Sequence, residues 1–513
     1  MKILSAQQIY AADKATIKSQ GINSIELMER AGTVCFDWIH KRLQGNPIKI
    51  LVFCGVGNNG GDGLVISRHL IQHGYNVSCY VVNFSEKRTD EFLHNYNRLK
   101  DLGTWPITIT SKNEFPEISN EYVVVDAIFG IGLKGSIKDF TSDLITHINK
   151  AKAYTLSIDI PSGMYADKTN SKDDFILEAS HTLTFQQPKL AFLLPNNQKY
   201  IYTWQVIDIA LDEEFLDSIE SDYFIIQKEE VKSIYKMRDK FSHKVTFGHS
   251  LLIGGSYGKM GAISLASKAA LKSGSGLVTA YVPKCGYEIL QISIPEVMVE
   301  VDADKELYDF NFKSKPTVIG IGPGMGTSDK TLKGFSNFLE ENTLPLVIDA
   351  DALNLISVKK GLLKKIPENS ILTPHPKELE RLIGEWNDDY EKIKKTKALS
   401  VKYKIIIVLK GANTVIVDGN KCHFNSTGNP ALATAGSGDV LTGIITGLLA
   451  QKYSALNAAK LGVYLHGKSA DIGLEDHSVE TFTASNILDY LGDAFKSLFE
   501  KEFIIEDDSS DKA

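Results

Sequence analysis

Closely spaced cysteine pairs are missing from this 513-residue chain. Its five cysteines, Cys35, Cys54, Cys79, Cys285 and Cys422, are odd in number, widely separated and without a Cys-x-x-Cys spacing. That pattern argues against zinc and against a disulfide framework, and suits a reducing compartment. Also missing is any apolar run long enough to cross a membrane, and Met1-Lys2-Ile3-Leu4-Ser5 enters a polar helical pattern without the apolar core of a signal peptide. A cytoplasmic location without membrane contact is the expectation. Positive charge is not in excess either: 56 Lys and Arg against 63 Asp and Glu leave a formal net charge of -7, which gives no support to nucleic-acid binding. No short repeat joins the two halves.

What the chain does contain is alternation. Its length exceeds one ordinary core and indicates about two to four domains. Residues from Gln7 to about Arg42 read as two helices, the second opened by the capping box Asn23-x-x-Glu26. Continuous apolar runs follow at Ile48 to Cys54, Asn76 to Val82, Tyr122 to Val125 and Tyr154 to Ile158, separated by helical patterns. Buried strands spaced by helices predict an α/β fold with a parallel sheet, and ligands bind such sheets at the carboxyl ends of the strands. After Ile209 the chain turns acidic and apolar periodicity lapses, so a boundary is expected between domains at 1–217 and 225–500. Alternation resumes with strand-like runs at Ser250 to Ile253, Leu277 to Val282, Thr317 to Ile321, Leu346 to Ile348 and Ile405 to Leu409. The acidic, polar residues 501–513 are expected to be a disordered tail.

Glycine-rich loops and acids stand where the strands of the first half end. Gly55, Gly57 and Gly60 match the dinucleotide fingerprint Gly-x-Gly-x-x-Gly, but at the end of the next strand, where a ribose-binding acid belongs, stands Val82-Asn83-Phe84. A different phosphate loop is the better reading. Asp126 precedes Gly130-Ile131-Gly132-Leu133-Lys134-Gly135-Ser136, and Asp159 opens Asp159-Ile160-Pro161-Ser162-Gly163. Singly each acid suits a cap or turn; together, two strand-end acids and two glycine loops at one sheet edge point to a site.

With Asn58-Asn59-Gly60-Gly61-Asp62-Gly63, these motifs resemble the NAD(P)H-hydrate epimerase domain, over roughly residues 1–217. The resemblance implies a Rossmann-like doubly wound sheet in which Asn59, Asp126 and Ser162 hold a potassium ion. It implies that Asn58, Asn59, Gly60, Gly61 and Asp62, together with Asp159 and Gly130, Ile131, Gly132, Leu133, Lys134, Gly135 and Ser136, contact the damaged cofactor. Asp159 and Lys134 become the pair available for proton transfer.

In the second half, Gly254-Gly255-Ser256-Tyr257-Gly258-Lys259-Met260-Gly261 falls one residue short of a Walker A loop and carries Met260 where a Ser or Thr is needed. Further loops follow later strands: Gly322-Pro323-Gly324-Met325-Gly326, Asp349-Ala350-Asp351, Thr373-Pro374-His375-Pro376-Lys377-Glu378 and Lys410-Gly411-Ala412-Asn413-Thr414. Ala435-Gly436-Ser437-Gly438-Asp439 then runs into an apolar helical pattern at Val440, Leu441, Ile444, Ile445, Leu448 and Leu449. Asp439 therefore stands at a helix N-terminus, where it either caps the helix or serves as a base beside a phosphate cradle.

In this order the motifs resemble the ADP- or ATP-dependent NAD(P)H-hydrate dehydratase domain of the ribokinase-like superfamily. The resemblance implies that Ala262, Gly324 or Gly326, His375 and Asp439 contact the hydrated nicotinamide nucleotide. Lys410, Gly411, Ala412, Asn413, Thr414 and Gly438 would contact the adenine nucleotide, with magnesium in this domain. The expected activity is epimerisation of NADH and NADPH hydrates and ADP- or ATP-driven dehydration of one epimer, in a homo-oligomer. A ribokinase-like small-molecule kinase, or a non-catalytic nucleotide-binding protein, stays open as the alternative.

Overall fold

The computed structural model describes residues 1–303 and 305–499; the expected tail at 501–513 lies outside the described residues. The chain divides into two compact units, one of residues 1–223 with 388–390 and one made of the remainder. Among the described residues no helix is long and apolar enough to cross a membrane.

The first unit opens with α1 (Ala6–Gln20) and α2 (Ser24–Leu43). It then alternates β1 (Lys49–Cys54), α3 (Asn58–Gln72), β2 (Asn76–Val82), α4 (Asp90–Asp101), β3 (Ile107–Ile109), β4 (Val123–Ala127), α5 (Asp139–Ala151) and β5 (Tyr154–Ile158), and ends with β6 (Ala179–Phe185), β7 (Ile201–Ile207) and α6 (Glu213–Ser218). The expected capping box is present: Asn23 accepts from the Glu26 N–H while the Glu26 side chain accepts from the Asn23 N–H. All seven strands pair in parallel, in the order β3-β2-β1-β4-β5-β6-β7. Strand β1 shows why both faces are covered. Ile50, Val52 and Cys54 pack with Leu27, Phe36 and Leu64 of α2 and α3, while Leu51 and Phe53 pack with Leu144, Ile145 and Ile148 of α5. This is the doubly wound α/β sheet that the sequence predicts, and its strand order reverses at β1 and β4, where such sheets open a ligand crevice.

The second sheet and its helices comprise β8 (Tyr223–Ile225), α7 (Lys228–Ile234), β9 (His249–Ile253), α8 (Met260–Lys272), β10 (Leu277–Val282), α9 (Tyr287–Ser293), β11 (Met298–Val301), β12 (Val318–Ile321), α10 (Asp329–Glu341), β13 (Leu346–Ile348) and α11 (Ala350–Val358). They continue with β14 (Ile371–Leu372), α12 (Pro376–Ile383), α13 (Asp389–Tyr403), β15 (Ile406–Leu409), β16 (Val415–Asp418), β17 (Lys421–Phe424), α14 (Ser437–Ala450), α15 (Ala455–Gly473) and α16 (Ala484–Ser497). The order is β11-β10-β9-β12-β13-β14-β15-β16-β17-β8, parallel from β11 to β15 and antiparallel through β16 and β17. Val440, Leu441, Ile444, Ile445 and Leu448 of α14 are buried as the apolar pattern requires, with Leu449 half-buried. Each such side chain contributes about 1.5–3 kcal/mol of burial. Helices α14 and α8 approach closely: a Cβ on Gly443 would stand 2.1 Å from the Ala266 carbonyl oxygen. That contact fixes the axis of α14.

Candidate functional sites

In the first unit the turn Gly55-Val56-Gly57 leaves β1 and delivers Asn58 to the start of α3, beside the segment that leaves β4. The Gly55 N–H donates to the Ala127 carbonyl at 2.9 Å, and a Cβ on Gly55 would stand 1.9 Å from the Ile128 carbonyl oxygen, so only glycine permits this approach. Between the loops lies a cavity of about 550 Å³ whose lining includes Tyr10, Asp13, Asn58, Asp62, Lys134 and Asp159. Gly130 to Leu133 also line it, whereas Gly60, Gly61, Gly135 and Ser136 do not.

Charge in this cavity is unevenly distributed. Burial pushes the Asp62 carboxyl well above its ordinary range, with Asp159 and Asp13 adding to the shift. Burial, then Asp159, push Asp13 up to about 6 against the pull of Lys189. Asp159 holds a left-handed backbone at φ 66 and is ion-paired to Lys189, Nζ to Oδ1 at 2.8 Å. Lys134 lines the cavity without an ion pair to Asp159.

Asp126 lies fully buried at the end of β4 and accepts from Ser157 Oγ at 2.8 Å, from the Ser162 N–H at 2.9 Å and from Ser162 Oγ at 2.5 Å. Burial nonetheless raises its carboxyl above the usual range. The buried Asn59 amide has neither Oδ1 nor Nδ2 hydrogen-bonded, and it packs on Gly130, while Ser162 Oγ accepts from the Phe129 N–H at 2.9 Å. An orphaned amide oxygen, a buried carboxylate and a hydroxyl converging on residues 129 and 130 form an all-oxygen donor set, which fits the potassium ion implied by the resemblance.

In the second unit the loops after β9, β12, β13, β14 and β15 lie at the carboxyl ends of neighbouring parallel strands, the ligand edge of such a sheet. Gly436 adopts φ 89 and caps α14, whose first turn contains Gly438 and Asp439. Lys410 Nζ bonds Asp349 Oδ1 at 2.7 Å and lies 3.3 Å from where a Gly438 Cβ would be, so its ammonium rests against the N-terminal turn of α14. Thr442 Oγ1 donates to the other Asp349 oxygen at 2.8 Å. Burial pulls the Lys410 proton affinity down, but Asp349 and Glu378 outweigh it and the net shift is upward. Asp439 is pushed up to about 6 by burial, then by Asp349, against the pull of Lys410.

His375 is the N-cap of α12: its Nδ1 accepts from the Lys377 N–H at 3.2 Å, and Glu378 Oε2 accepts from the His375 N–H at 2.9 Å. Its ring is half-exposed, and burial followed by Lys410 lowers its basicity. Gly324 and Ala262 are neighbours, with a Gly324 Cβ 3.2 Å from that of Ala262, and the Gly326 N–H donates to Asp351 Oδ2 at 2.9 Å. Gly411 to Thr414 form the turn from β15 to β16, closed by Thr414 Oγ1 donating to the Gly411 carbonyl at 3.1 Å. His466 braces the turn from below, Nε2 to the Ser437 carbonyl at 3.0 Å, and burial takes its basicity down to about 4, so it is neutral. Among the described residues no group of three or more His, Cys, Asp or Glu forms a metal cage. Magnesium carried by a nucleotide needs only one or two carboxylates, and Asp349, Asp351, Glu378 and Asp439 provide such donors.

Sequence reading did not single out Lys189, Asp13, Tyr10 or Thr442 as parts of these sites. Of these, Lys189 carried the only available signal, a lysine just after Pro188 in an otherwise apolar stretch.

Two α/β units, each with a glycine-rich helix N-terminus and unevenly charged carboxylates at the carboxyl ends of parallel strands, define a two-domain nucleotide-handling enzyme class. The family described as NAD(P)H-hydrate dehydratase matches residues 250–492, and the one described as YjeF-related protein N-terminus matches residues 24–191. The chain is 34% identical over 523 aligned residues to the bifunctional NAD(P)H-hydrate repair enzyme Nnr of Moorella thermoacetica, covering 98% of each. It is also 34% identical to the enzyme of that name from Coxiella burnetii, covering 94% of this chain and 97% of that one. The chain belongs to the family of bifunctional NAD(P)H-hydrate repair enzymes. A solved ADP/ATP-dependent NAD(P)H-hydrate dehydratase from Bacillus subtilis, co-crystallised with ATP and Mg2+, is 31% identical with a TM-score of 0.47, covering 54% of this chain and 98% of that one.

Proposed function

We propose that this protein repairs hydrated NADH and NADPH, epimerising the hydrate in its first domain (1–217) and dehydrating one epimer in its second (225–500) with ADP or ATP. Supporting the reading is the placement of Asp439: a partly protonated carboxylate at the N-terminus of α14, with the Lys410 ammonium against the same turn.

Hydroxide leaves a reduced nicotinamide ring poorly, and phosphate leaves well. Asp439 takes the proton of the ring hydroxyl as that oxygen attacks the terminal phosphorus of the nucleotide, whose bridging oxygen departs with AMP or ADP. The N–H groups of the Gly436 to Asp439 turn and the Lys410 ammonium stabilise the charge on the transferred group. The ring nitrogen lone pair then expels phosphate, and loss of a proton from the adjacent ring carbon to solvent restores the dihydronicotinamide. Asp349 or Glu378 is available for magnesium, which neutralises nucleotide charge when bound. Ala262, Gly324 or Gly326 and His375 would border the hydrate, and Gly411 to Thr414 the adenine nucleotide.

In the first domain, Asn59, Asp126 and Ser162 would hold potassium, which supplies fixed positive charge beside the bound cofactor. Asp159 and Lys134 are placed for proton transfer on the cavity wall, and the cavity glycines admit the phosphates. The test is the recovery of NADH absorbance from a mixed-epimer hydrate, with ADP and ATP supplied separately. Complete recovery with release of inorganic phosphate is expected. Recovery that stops at one epimer removes the epimerase half, and a stable phosphorylated organic product would replace the dehydratase half by a kinase.

A further inference from the structure

Lys189 is 1% exposed, an unusual position for a lysine. Its ammonium has three donors and all are used: Asp159 Oδ1 at 2.8 Å, the Gln187 carbonyl at 3.1 Å and the Phe185 carbonyl at 3.3 Å. With no donor to spare and no place on the cavity wall, Lys189 cannot hand a proton to a bound molecule. Asp159 does line that wall, and its Oδ1 is the oxygen held from behind, with the Phe185 N–H adding a contact at 3.3 Å. We propose that Lys189 is a positioning residue of the epimerase site, holding the Asp159 carboxylate oriented with its second oxygen turned to the cavity.

The surrounding charges make this necessary. Asp159 is faced by Asp13 and Tyr10 of α1, Cys35 of α2 and Asp62 of α3, each pushed toward its protonated form by burial and by Asp159 itself. Lys134 borders the cavity from its loop, and Asp167 feels the Lys189 charge from the segment after β5. Acids gathered in one site repel one another, and the buried Lys189 cation is bonded to Asp159 rather than to Asp13 or Asp62. Epimerisation needs both a group that accepts a proton and one that returns it. The Lys189 pair presents Asp159 as the acceptor, with Lys134 on the lining of the same cavity as its partner in proton transfer.

The assignment rests on the epimerase reading, and the full chain provides its own control. Purified single-epimer NADPH hydrate is incubated without adenine nucleotide, so that no dehydration occurs, and the epimers are separated chromatographically across a pH series. Lys189→Met is expected to lower the epimerase kcat by on the order of 100-fold and to move the acid limb of its pH profile upward by about one to three units. Dehydration of the preferred epimer with ADP or ATP should be unchanged, and a thermal melt of the first unit matching that of the unmutated chain reports that this unit is folded. Lys189→Arg retains a cation and should retain the wild-type limb at reduced kcat, a separation that packing alone does not produce. Wild-type kcat and profile in Lys189→Met, or a Lys189→Arg limb displaced as far as that of Lys189→Met, overturns the assignment alone. No epimerisation by the unmutated chain overturns the epimerase reading and the assignment with it.

Discussion

Each unit places one lysine on one buried strand-end aspartate, Lys189 fully buried and Lys410 partly so, yet the two pairs are wired differently. In the first, Lys189 pairs with Asp159, the acid that faces the cavity. In the second, Lys410 pairs with Asp349, a neighbour, and Asp439 at the mouth of α14 is left with its carboxyl at about 6. Direct pairing fixes the acid that faces the cavity from behind. Indirect pairing leaves the proposed base, Asp439, with a proton affinity near neutrality, where a base that must take a proton and later release it works best. The same ingredients, a lysine and several acids at the carboxyl ends of parallel strands, therefore give two arrangements according to which acid receives the cation.

The largest expected effect follows from removing the unpaired base. Asp439→Ala should cut dehydration by on the order of 1,000-fold while epimerisation continues, measured as NADH recovery beside chromatographic epimer exchange. Loss of both activities would break the division between the units. Next comes Lys410→Met, expected to lower dehydration by on the order of 100-fold through lost charge stabilisation. Because Lys410 now holds the Asp439 proton affinity down, the acid limb of the dehydration rate should move above its wild-type position near pH 6 in this variant. An unmoved limb would show that Lys410 does not act on Asp439.

A smaller effect concerns stability. Burial and Asp349 push the folded Asp439 carboxyl up to about 6, above the ordinary aspartate range, so the folded state binds this proton more tightly than the unfolded chain. The stabilisation is fully present below about pH 4 and is lost as pH rises through 6. Asp439→Asn should therefore raise the melting temperature of the dehydratase unit at pH 8, with the gain shrinking on acidification; an equal gain at pH 4 and pH 8 would dissociate it from this carboxyl. Smallest is Thr442→Val, which leaves one Asp349 oxygen without its hydroxyl donor and should cost about 1–3 kcal/mol in urea unfolding. A larger loss of dehydration in Thr442→Val than in Lys410→Met would reverse the order of importance given to these two contacts.

Much of the fold was legible. The runs Ile48 to Cys54 and Leu277 to Val282 are apolar but for Lys49 and Thr279 because strands buried on both faces do not alternate, and both hold strands. Strands β6 and β7 were not singled out, since Ser180, His181 and Thr182 in the one and Tyr202, Thr203 and Gln205 in the other interrupt any apolar run. Strand β14 has two residues, too few for a pattern. Short elements of this kind are strands because their neighbours supply hydrogen-bonding partners, not because their residues prefer to be.

The sequence by itself determined the two α/β domains, the glycine-rich loops at the strand ends and the family, because periodicity and glycine-acid motifs are local and each can be read within a few residues. Which acids would be charged was decided only by the tertiary structure. Asp159 and Lys189 are thirty positions apart and Asp349 and Lys410 are sixty-one, and nothing in either segment announces its partner. Proton affinity depends on burial and on charges a few ångströms away, and both exist only once the strands have brought those segments to the same edge.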